Sequence, residues 1–275
     1  MSASTGAADS VVVPRRSRSY GLAHADWLKL WKRRGLFWTI FGMTVGAETI
    51  AFGVLAILHA ANPAHHGPAG GIANLGHGMF ILNLLGTVAA IVVGASAGSG
   101  DLSAGVFREL VVTGRSRLTL FAARVPGGLA FLLPFTAVAY TIAAVVSATA
   151  NSSLAAPSVT LMIESGLWVL AEAAFYFVVG LGLGSLTGSR AYTIGILLAW
   201  RLILGRIIMA IGFLGVFREV VPDVHFTRIV PSGVATTLRE GPDVPASLAA
   251  SLAVLLLWVA VWLGAGAWRT ATRDA

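Results

Sequence analysis

Ionisable side chains occur inside long apolar stretches of this sequence, where an unpaired charge is costly. They are Glu48, Glu164, Glu172, Arg201 and Arg206. At bilayer depth such residues usually pair with one another or line a polar route through the protein. Counted at about 1.5 Å per helical residue, Glu48, Glu172 and Arg201 would lie near the middle of a bilayer. Glu164 and Arg206 would lie nearer its outer third.

Pairing and path lining are both open interpretations of these charges. In the pairing hypothesis, Glu48 or Glu172 neutralises Arg201. Glu164 would reach Arg206 in the same way. Loss of one partner of a buried pair would then cost about 3 to 5 kcal/mol, because it leaves an uncompensated charge. In the other hypothesis the two arginines face a route for cargo.

A polar stretch, "GSGDLSAGVFRELVVTGRSRLTLF" at 98–121, separates two apolar stretches and differs from both in composition. Asp101 is suited to cap a helix, because an acid is favourable at the positive end of the helix dipole. Apolar residues then recur every four positions until Gly114, a residue type that commonly ends helices. The pattern predicts a short amphipathic helix over 101–113, and a partner protein could cover its apolar face.

The composition is that of an integral membrane protein. Of 275 residues, 56% are hydrophobic and 11% are charged, and the mean hydropathy is +0.82. Apolar stretches of about 20 residues are long enough to cross a bilayer as helices, which satisfy their own backbone hydrogen bonds. The sequence therefore predicts an all-α integral membrane protein with six transmembrane helices, near 36–60, 75–98, 122–148, 160–186, 191–214 and 246–268.

The distribution of Lys and Arg predicts the orientation in the membrane. Positive residues are retained on the cytoplasmic side, and the segment before the first span holds seven of them. The connections near 61–74 and 149–159 hold none. In the connection at 215–245 the acids outnumber the bases, so we assign it to the external side. Both termini are predicted to be cytoplasmic, in a plasma membrane of the bacterial inner-membrane type.

The remaining segments have distinct predicted roles. Residues 1–19 are polar, small and basic, which favours a disordered cytoplasmic tail. Residues 20–35 place apolar and aromatic side chains at helical spacing, with cations off that stripe, as in an amphipathic interfacial helix that contacts lipid headgroups. Residues 36–268 form the membrane domain, and 269–275 form a second cytoplasmic tail. Within the external connection, prolines would separate short helices that rest on or dip into the outer leaflet.

Small residues at four-residue spacing can let two membrane helices approach closely. Gly42 and Gly46 have this spacing, and so do Gly180 and Gly184. With 32 glycines in the chain, some such matches are expected by chance.

Several function classes are excluded or disfavoured by absent residues. The chain has no cysteine, so it has no disulfide and no thiolate site. Its two lysines, Lys29 and Lys32, do not belong to a phosphate-binding loop, so it carries no Walker-type ATPase of its own. We predict no catalytic residues and no metal ligands, since no nucleophile–base set or metal-binding motif is visible. The net charge of +7 is attributed to cytoplasmic loops rather than to nucleic-acid binding.

The polar stretch resembles a loop of a known family. The pattern D-x-x-x-G-x-x-R-x-L-x-x-T-G-x-S-R, followed by Arg124, is similar to the first intracellular loop of type-2 ATP-binding-cassette (ABC) permeases. In that family the loop is a coupling helix that docks on a separate ATPase. The resemblance assigns to it Asp101, Gly105, Phe107, Arg108, Leu110, Gly114, Ser116 and Arg117. Arg190, in "TGSR", would match a second and shorter contact, although a Gly-Ser turn explains it nearly as well.

The resemblance implies a function. The chain would be the permease subunit of an ABC exporter, not itself an enzyme and without a cofactor of its own. ATP and Mg would bind the partner, with two ATPase subunits serving two permease chains, identical or different. Because spans two and five line the central route in this family, Arg201 and Arg206 would favour an anionic group on the cargo.

A second function class is an ion-coupled secondary transporter. In that case Glu48 and Glu172 would relay protons. No internal repeat relates the two halves of the sequence, and six spans would be few for that class.

Overall fold

The computed structural model describes residues 15–103, 105, 116–150, 154–238, 244 and 246–272. Within these ranges the secondary structure is entirely helical and contains no strand. The predicted all-α fold is confirmed for this part of the chain.

Six helices of the described chain are long and apolar enough to cross a membrane, as predicted. The protein is therefore a multi-pass membrane protein. We call the helices spans 1 to 6, and we call the end of the bundle that holds Asp101 the inner end and the opposite end the outer end. The spans run over Arg34–Ala61, Ile72–Asp101, Arg117–Thr149, Val159–Thr187, Arg190–Ala210 and Leu248–Thr272.

Span 4 lies at the centre of the bundle. Glycines on spans 2 and 4 let the two backbones come into direct contact. A methyl group added at Gly94 or Gly98 of span 2 would overlap a carbonyl oxygen of span 4. On the facing side, a methyl group at Gly180 or Gly184 would lie 3.0 or 3.1 Å from a carbonyl oxygen of span 2. The close approach predicted for Gly180 and Gly184 is confirmed. By contrast, a methyl group at Gly42 would meet nothing within 4 Å.

Spans 1, 2 and 5 each contain a π-helical turn, in which one extra residue interrupts the regular hydrogen-bond ladder. These turns cover Gly42–Gly46, Leu82–Gly86 and Trp200–Leu204. Such turns are frequent at functional sites, because they free backbone carbonyls and redirect side chains. The α-helical parts of these spans are Arg34–Phe41, Ala47–Ala61, Ile72–Ile81, Thr87–Ser103, Arg190–Ala199 and Gly205–Ala210.

An N-terminal helix, Arg15–Trp31, precedes span 1 and begins within the segment for which we expected disorder. It packs on span 3, where a methyl group at Gly127 would lie 2.7 Å from the carbonyl oxygen of Ala23. Leu30 is buried, and the Trp31 ring lies 6.2 Å from the ring of Phe131. Much of the predicted apolar stripe therefore contacts protein. Its placement at the headgroup layer stays a prediction.

The connection between spans 5 and 6, which we call the outer segment, folds into short helices. They are Gly212–Val220, Pro222–Ile229, Ser232–Val234 and Ala235–Leu238. Pro222 is the first residue of the second of these, the outer helix, because proline fits the first helical turn. Phe226 of the outer helix is buried, and its carbonyl accepts a hydrogen bond of 2.9 Å from Trp168 Nε1 of span 4. The outer helix thus packs back onto the spans.

Candidate functional site

Arg201 lies at the centre of a group of polar side chains buried among spans 2, 4 and 5 and the outer helix. Its Nη1 is 2.9 Å from Asp223 Oδ1, and its Nη2 is 3.8 Å from Glu172 Oε1. Nη2 also donates a hydrogen bond of 2.9 Å to Asn83 Oδ1. One cation therefore contacts two carboxylates and an amide within the membrane domain.

Three further contacts complete this group. Asn83 Nδ2 donates a hydrogen bond of 2.6 Å to Glu172 Oε1, so the amide bridges Glu172 and Arg201. The hydroxyl of Tyr176 donates to Asp223 Oδ1 at 2.8 Å, and the Tyr176 ring centre lies 5.4 Å from the Arg201 guanidinium. This distance permits a cation–π interaction. We call Asn83, Glu172, Tyr176, Arg201 and Asp223 the buried charge network.

The π turns explain how helices can supply this network. Asn83 belongs to the π turn of span 2, and Arg201 to that of span 5. The backbone carbonyl of Asn83 accepts hydrogen bonds from Arg201 Nη2, at 3.4 Å, and from the Thr87 hydroxyl. Arg201 thereby bonds to both the backbone and the side chain of Asn83. Glu172 and Tyr176 are one turn apart on span 4 and so face the same side.

Arg201 is paired with a carboxylate, as the pairing hypothesis predicted, but its nearest partner is not one of the two candidates. Of the two candidates, Glu172 is near, but Asp223 from the outer segment is nearer. Glu48 is fully buried, and neither of its carboxylate oxygens has a hydrogen-bond partner in the part of the chain that the structure describes. Asp223 belongs to the connection that we assigned to the external side, yet its side chain is buried against this arginine.

The other two embedded charges lie on the surface of the bundle. Glu164 and Arg206 both have exposed side chains. Their mutual pairing stays a prediction.

Sequence reasoning missed Asn83, Tyr176 and Asp223 as members of the network. Asn83 offered a usable signal, because a lone carboxamide in an apolar span needs partners for its donors and acceptor. Asp223 offered none, since it follows Pro222 in a segment assigned to the external side, and nothing near it in the sequence indicates a contact with Arg201.

A second polar cluster lies at the inner end. Asp101 accepts from Lys29 Nζ at 3.1 Å and from Arg124 Nη2 at 3.0 Å. Lys29 also pairs with Asp26 at 2.9 Å. Arg124 is buried, and its Nη1 donates to the carbonyl of Gly98 at 3.2 Å. We call Asp26, Lys29, Asp101 and Arg124 the inner cluster; it joins the N-terminal helix to spans 2 and 3.

The N-terminal members of this cluster have shifted pKa values. Burial raises the pKa of the Asp26 carboxyl, although Lys29 partly opposes the shift. Burial alone would lower the pKa of Lys29, but Asp26 and Asp101 outweigh it and raise that pKa above its usual value.

The structure corrects the role expected for Asp101. It does not cap a new helix, because the helix of span 2 continues through it to Ser103. The chain turns at Gly105, whose φ of 71° is a left-handed conformation that favours glycine. The predicted helix over 101–113 therefore does not begin at Asp101, which belongs to the helix of span 2. Phe107, Arg108, Leu110 and Gly114 lie outside the described residues.

The far end of the polar stretch is also attached to the bundle. Ser116 caps span 3, where its hydroxyl accepts from the Thr119 N–H at 3.1 Å. Arg117 Nη1 donates to the carbonyl of Ala271 in span 6 at 3.1 Å.

Arg190 begins span 5 after a tight turn and has an exposed side chain. Gly188 ends span 4 with a φ of 70°, and Ser189 caps span 5. The local geometry is that of a turn between antiparallel helices, so contact with a second protein stays a prediction for this residue.

Comparison with known proteins adds no assignment. No protein-family model matches the chain, and no curated protein matches it. Among the described residues, no group of three or more His, Asp or Glu side chains is arranged to hold a metal ion.

Proposed function

We propose that this protein is the permease subunit of an ATP-driven exporter of the type-2 ABC class. The observation that carries the proposal is the attachment of the polar stretch at both ends. Asp101 is tied to Lys29 and Arg124, and Arg117 is tied to span 6. A loop that served only as a connection would not need ion pairs to two other helices and a hydrogen bond to a third, whereas a loop that receives a mechanical input does.

The inner cluster supports a route for that input into the bundle. A displacement of the loop would pull on Asp101 and thereby on the N-terminal helix and span 3. The carbonyl of Gly98 accepts from Arg124 and also from the Ser185 hydroxyl of span 4, at 3.3 Å. Spans 2 and 4 would move together, because their glycine contact leaves no room for sliding side chains.

The buried charge network would carry the motion toward the outer end. Spans 2 and 4 hold Asn83 and Glu172, and both side chains bind Arg201. Arg201 in turn holds Asp223 of the outer helix. A shift of the two spans relative to span 5 would therefore change how the outer helix is held, which couples the inner end to an outer opening.

The buried charge network also bears on the charge expected for the cargo. Arg201 is already matched by two carboxylates, so it does not offer the free positive charge that an anionic cargo would require. Arg201 therefore does not support the expectation of an anionic cargo.

The proposed assembly contains two permease chains, identical or different, and two ATPase subunits that bind ATP and Mg. This chain binds no cofactor itself. Exposed apolar side chains on spans 1 and 5, such as Ile50, Ile57 and Ile203, leave apolar surface for lipid or for the second chain.

Copurification tests the proposal. We expect the detergent-solubilised chain to retain an ATPase, and Leu110→Asp to lose it, because a charge would enter the apolar face that the sequence predicts for the loop. Thr272→Asp is the matched control, since it adds the same charge at an exposed site of the inner end. Retention of the ATPase by Leu110→Asp, or no ATPase with the wild-type chain, would contradict the proposal.

The ion-coupled transporter is the second candidate, and it is favoured by the Glu48 carboxyl, which has no hydrogen-bond partner among the described residues. Purified chain in vesicles separates the two functions. Transport driven by an imposed proton gradient, without ATP or an ATPase, would support the second candidate over the first.

A further inference from the structure

Glu48 is a buried acid that no other described side chain neutralises. Its side chain is fully buried in span 1, and both carboxylate oxygens lack a hydrogen-bond partner among the described residues. The cation of the buried charge network is engaged elsewhere, with Asp223, Glu172 and Asn83.

The surroundings of Glu48 are apolar and tightly packed. A methyl group added at Gly78 of span 2 would lie 3.2 Å from Glu48 Oε2 and 3.2 Å from the Phe52 ring. The same methyl group would lie 2.6 Å from Ala143 Cβ of span 3. Spans 1, 2 and 3 therefore meet around the Glu48 carboxyl.

Tyr140 and His77 are titratable groups on the spans that pack around Glu48, and neither side chain is available to it. The Tyr140 hydroxyl donates to the carbonyl of Met162, and the His77 ring is exposed and lies 3.4 Å from the Asn74 side chain. Neither supplies a positive charge to Glu48.

Energetics favour a proton on this carboxyl. Burying an isolated carboxylate costs tens of kcal/mol in a medium of low polarity, whereas a neutral polar group without a hydrogen bond costs roughly 2 to 7 kcal/mol. A metal cation would need several oxygen ligands, and the span 1 hydroxyls of Thr44 and Thr49 instead donate to the carbonyls of Ile40 and Val45. A proton needs one oxygen.

A second unpartnered polar group lies between this carboxyl and the outer end. Gly78 and Ala143 are each about 9 Å from the outer ends of their spans, at 1.5 Å per residue. Ser147 lies one turn farther out than Ala143 on the same face of span 3. Its hydroxyl is buried and has no partner within the described chain, so it is free to bond to an entering water.

We propose that Glu48 is a proton-binding site that is loaded in this conformation and emptied when spans 1, 2 and 3 separate at their outer ends. On emptying, the carboxyl O–H bond breaks, the proton passes to a water from the outer side, and a hydrated carboxylate remains. Closure reverses the step. This proposal does not depend on the proposed function. It rests on the packing around Glu48, whether or not ATP hydrolysis drives transport.

A proton count tests the proposal. When the purified chain is unfolded in denaturing detergent at neutral pH, the Glu48 carboxyl becomes hydrated and ionises, as ordinary glutamates do. The wild-type chain should therefore release one more proton than Glu48→Gln, which mimics the neutral acid. Glu164→Gln, at an exposed site, should release as many protons as the wild type. Equal release by wild type and Glu48→Gln would overturn the proposal.

Infrared spectroscopy of the wild-type chain keeps the test decisive if Glu48→Gln does not fold. We expect a carboxylic-acid C=O band at neutral pH that shifts in D₂O. A folded wild-type chain without such a band would have no protonated carboxyl and would overturn the proposal. A band that persists unchanged in folded Glu48→Gln would assign the proton to another residue, with the same consequence.

Discussion

Arg201 of span 5 and Asp223 of the outer helix form an ion pair of 2.9 Å inside the bundle, although they belong to different elements of the chain. The pair attaches a segment that reads as an external connection to the polar centre of the membrane domain.

Removal of Arg201 should be more damaging than removal of its nearest partner. Arg201→Gln leaves two buried carboxyls without a cation, which should lower the free energy of unfolding by about 3 to 5 kcal/mol. Asp223→Asn should cost less, because Glu172 still matches the arginine. Denaturing-detergent titration measures both. Glu164→Gln is the surface control, with an expected change within about 0.5 kcal/mol. A smaller loss of unfolding free energy for Arg201→Gln than for Asp223→Asn would contradict the central role of Arg201 in the network.

The contact between spans 2 and 4 predicts an asymmetry among glycines. Gly94→Ala should destabilise the protein, because the new methyl group would overlap the Phe177 carbonyl oxygen. Gly53→Ala in span 1 meets nothing within 4 Å and should be neutral or stabilising by up to about 1 kcal/mol. Melting temperatures of the two variants measure this difference. Similar melting temperatures would show that spans 2 and 4 are not in backbone contact.

The inner cluster predicts a pH dependence. Burial raises the pKa of Asp26 in the folded protein, so the folded state holds that proton more tightly than the unfolded state. The stability that this group adds to the folded state is therefore fully present below the ordinary Asp pKa of about 3.9. It is lost as the pH rises through the raised pKa of Asp26 in the folded protein. Asp26→Asn cannot titrate. Relative to Asp26→Asn, the wild type should therefore lose stability as pH rises through this range, measured by thermal unfolding at each pH. A stability difference that is constant with pH, or that moves the other way, would contradict the shift.

Orientation is testable because the chain has no cysteine of its own. A single cysteine at Ser116 should react with a membrane-impermeant thiol reagent only from the cytoplasmic side. His66→Cys should react only from the external side, since His66 is exposed at the opposite end of the bundle. The reverse pattern would invert the proposed topology.

The six spans followed from the sequence because the length and hydropathy of a membrane helix are local properties. The buried charge network did not, since it depends on contacts between residues far apart in the chain. The π turns that present Asn83 and Arg201 have no distinctive composition. Asp101 was interpreted as a helix cap from its neighbours alone, whereas its ion pairs come from Lys29 and Arg124.

The central claim is that the polar stretch between spans 2 and 3 docks on a separate ATPase. Leu110→Cys in intact membranes, treated with a short thiol-to-amine cross-linker, tests this contact most directly. We expect Leu110→Cys to yield a cross-linked product that contains an ATP-binding chain, and His66→Cys to yield none. No ATP-binding chain cross-linked at position 110, or equal cross-linking at both positions, would contradict the claim.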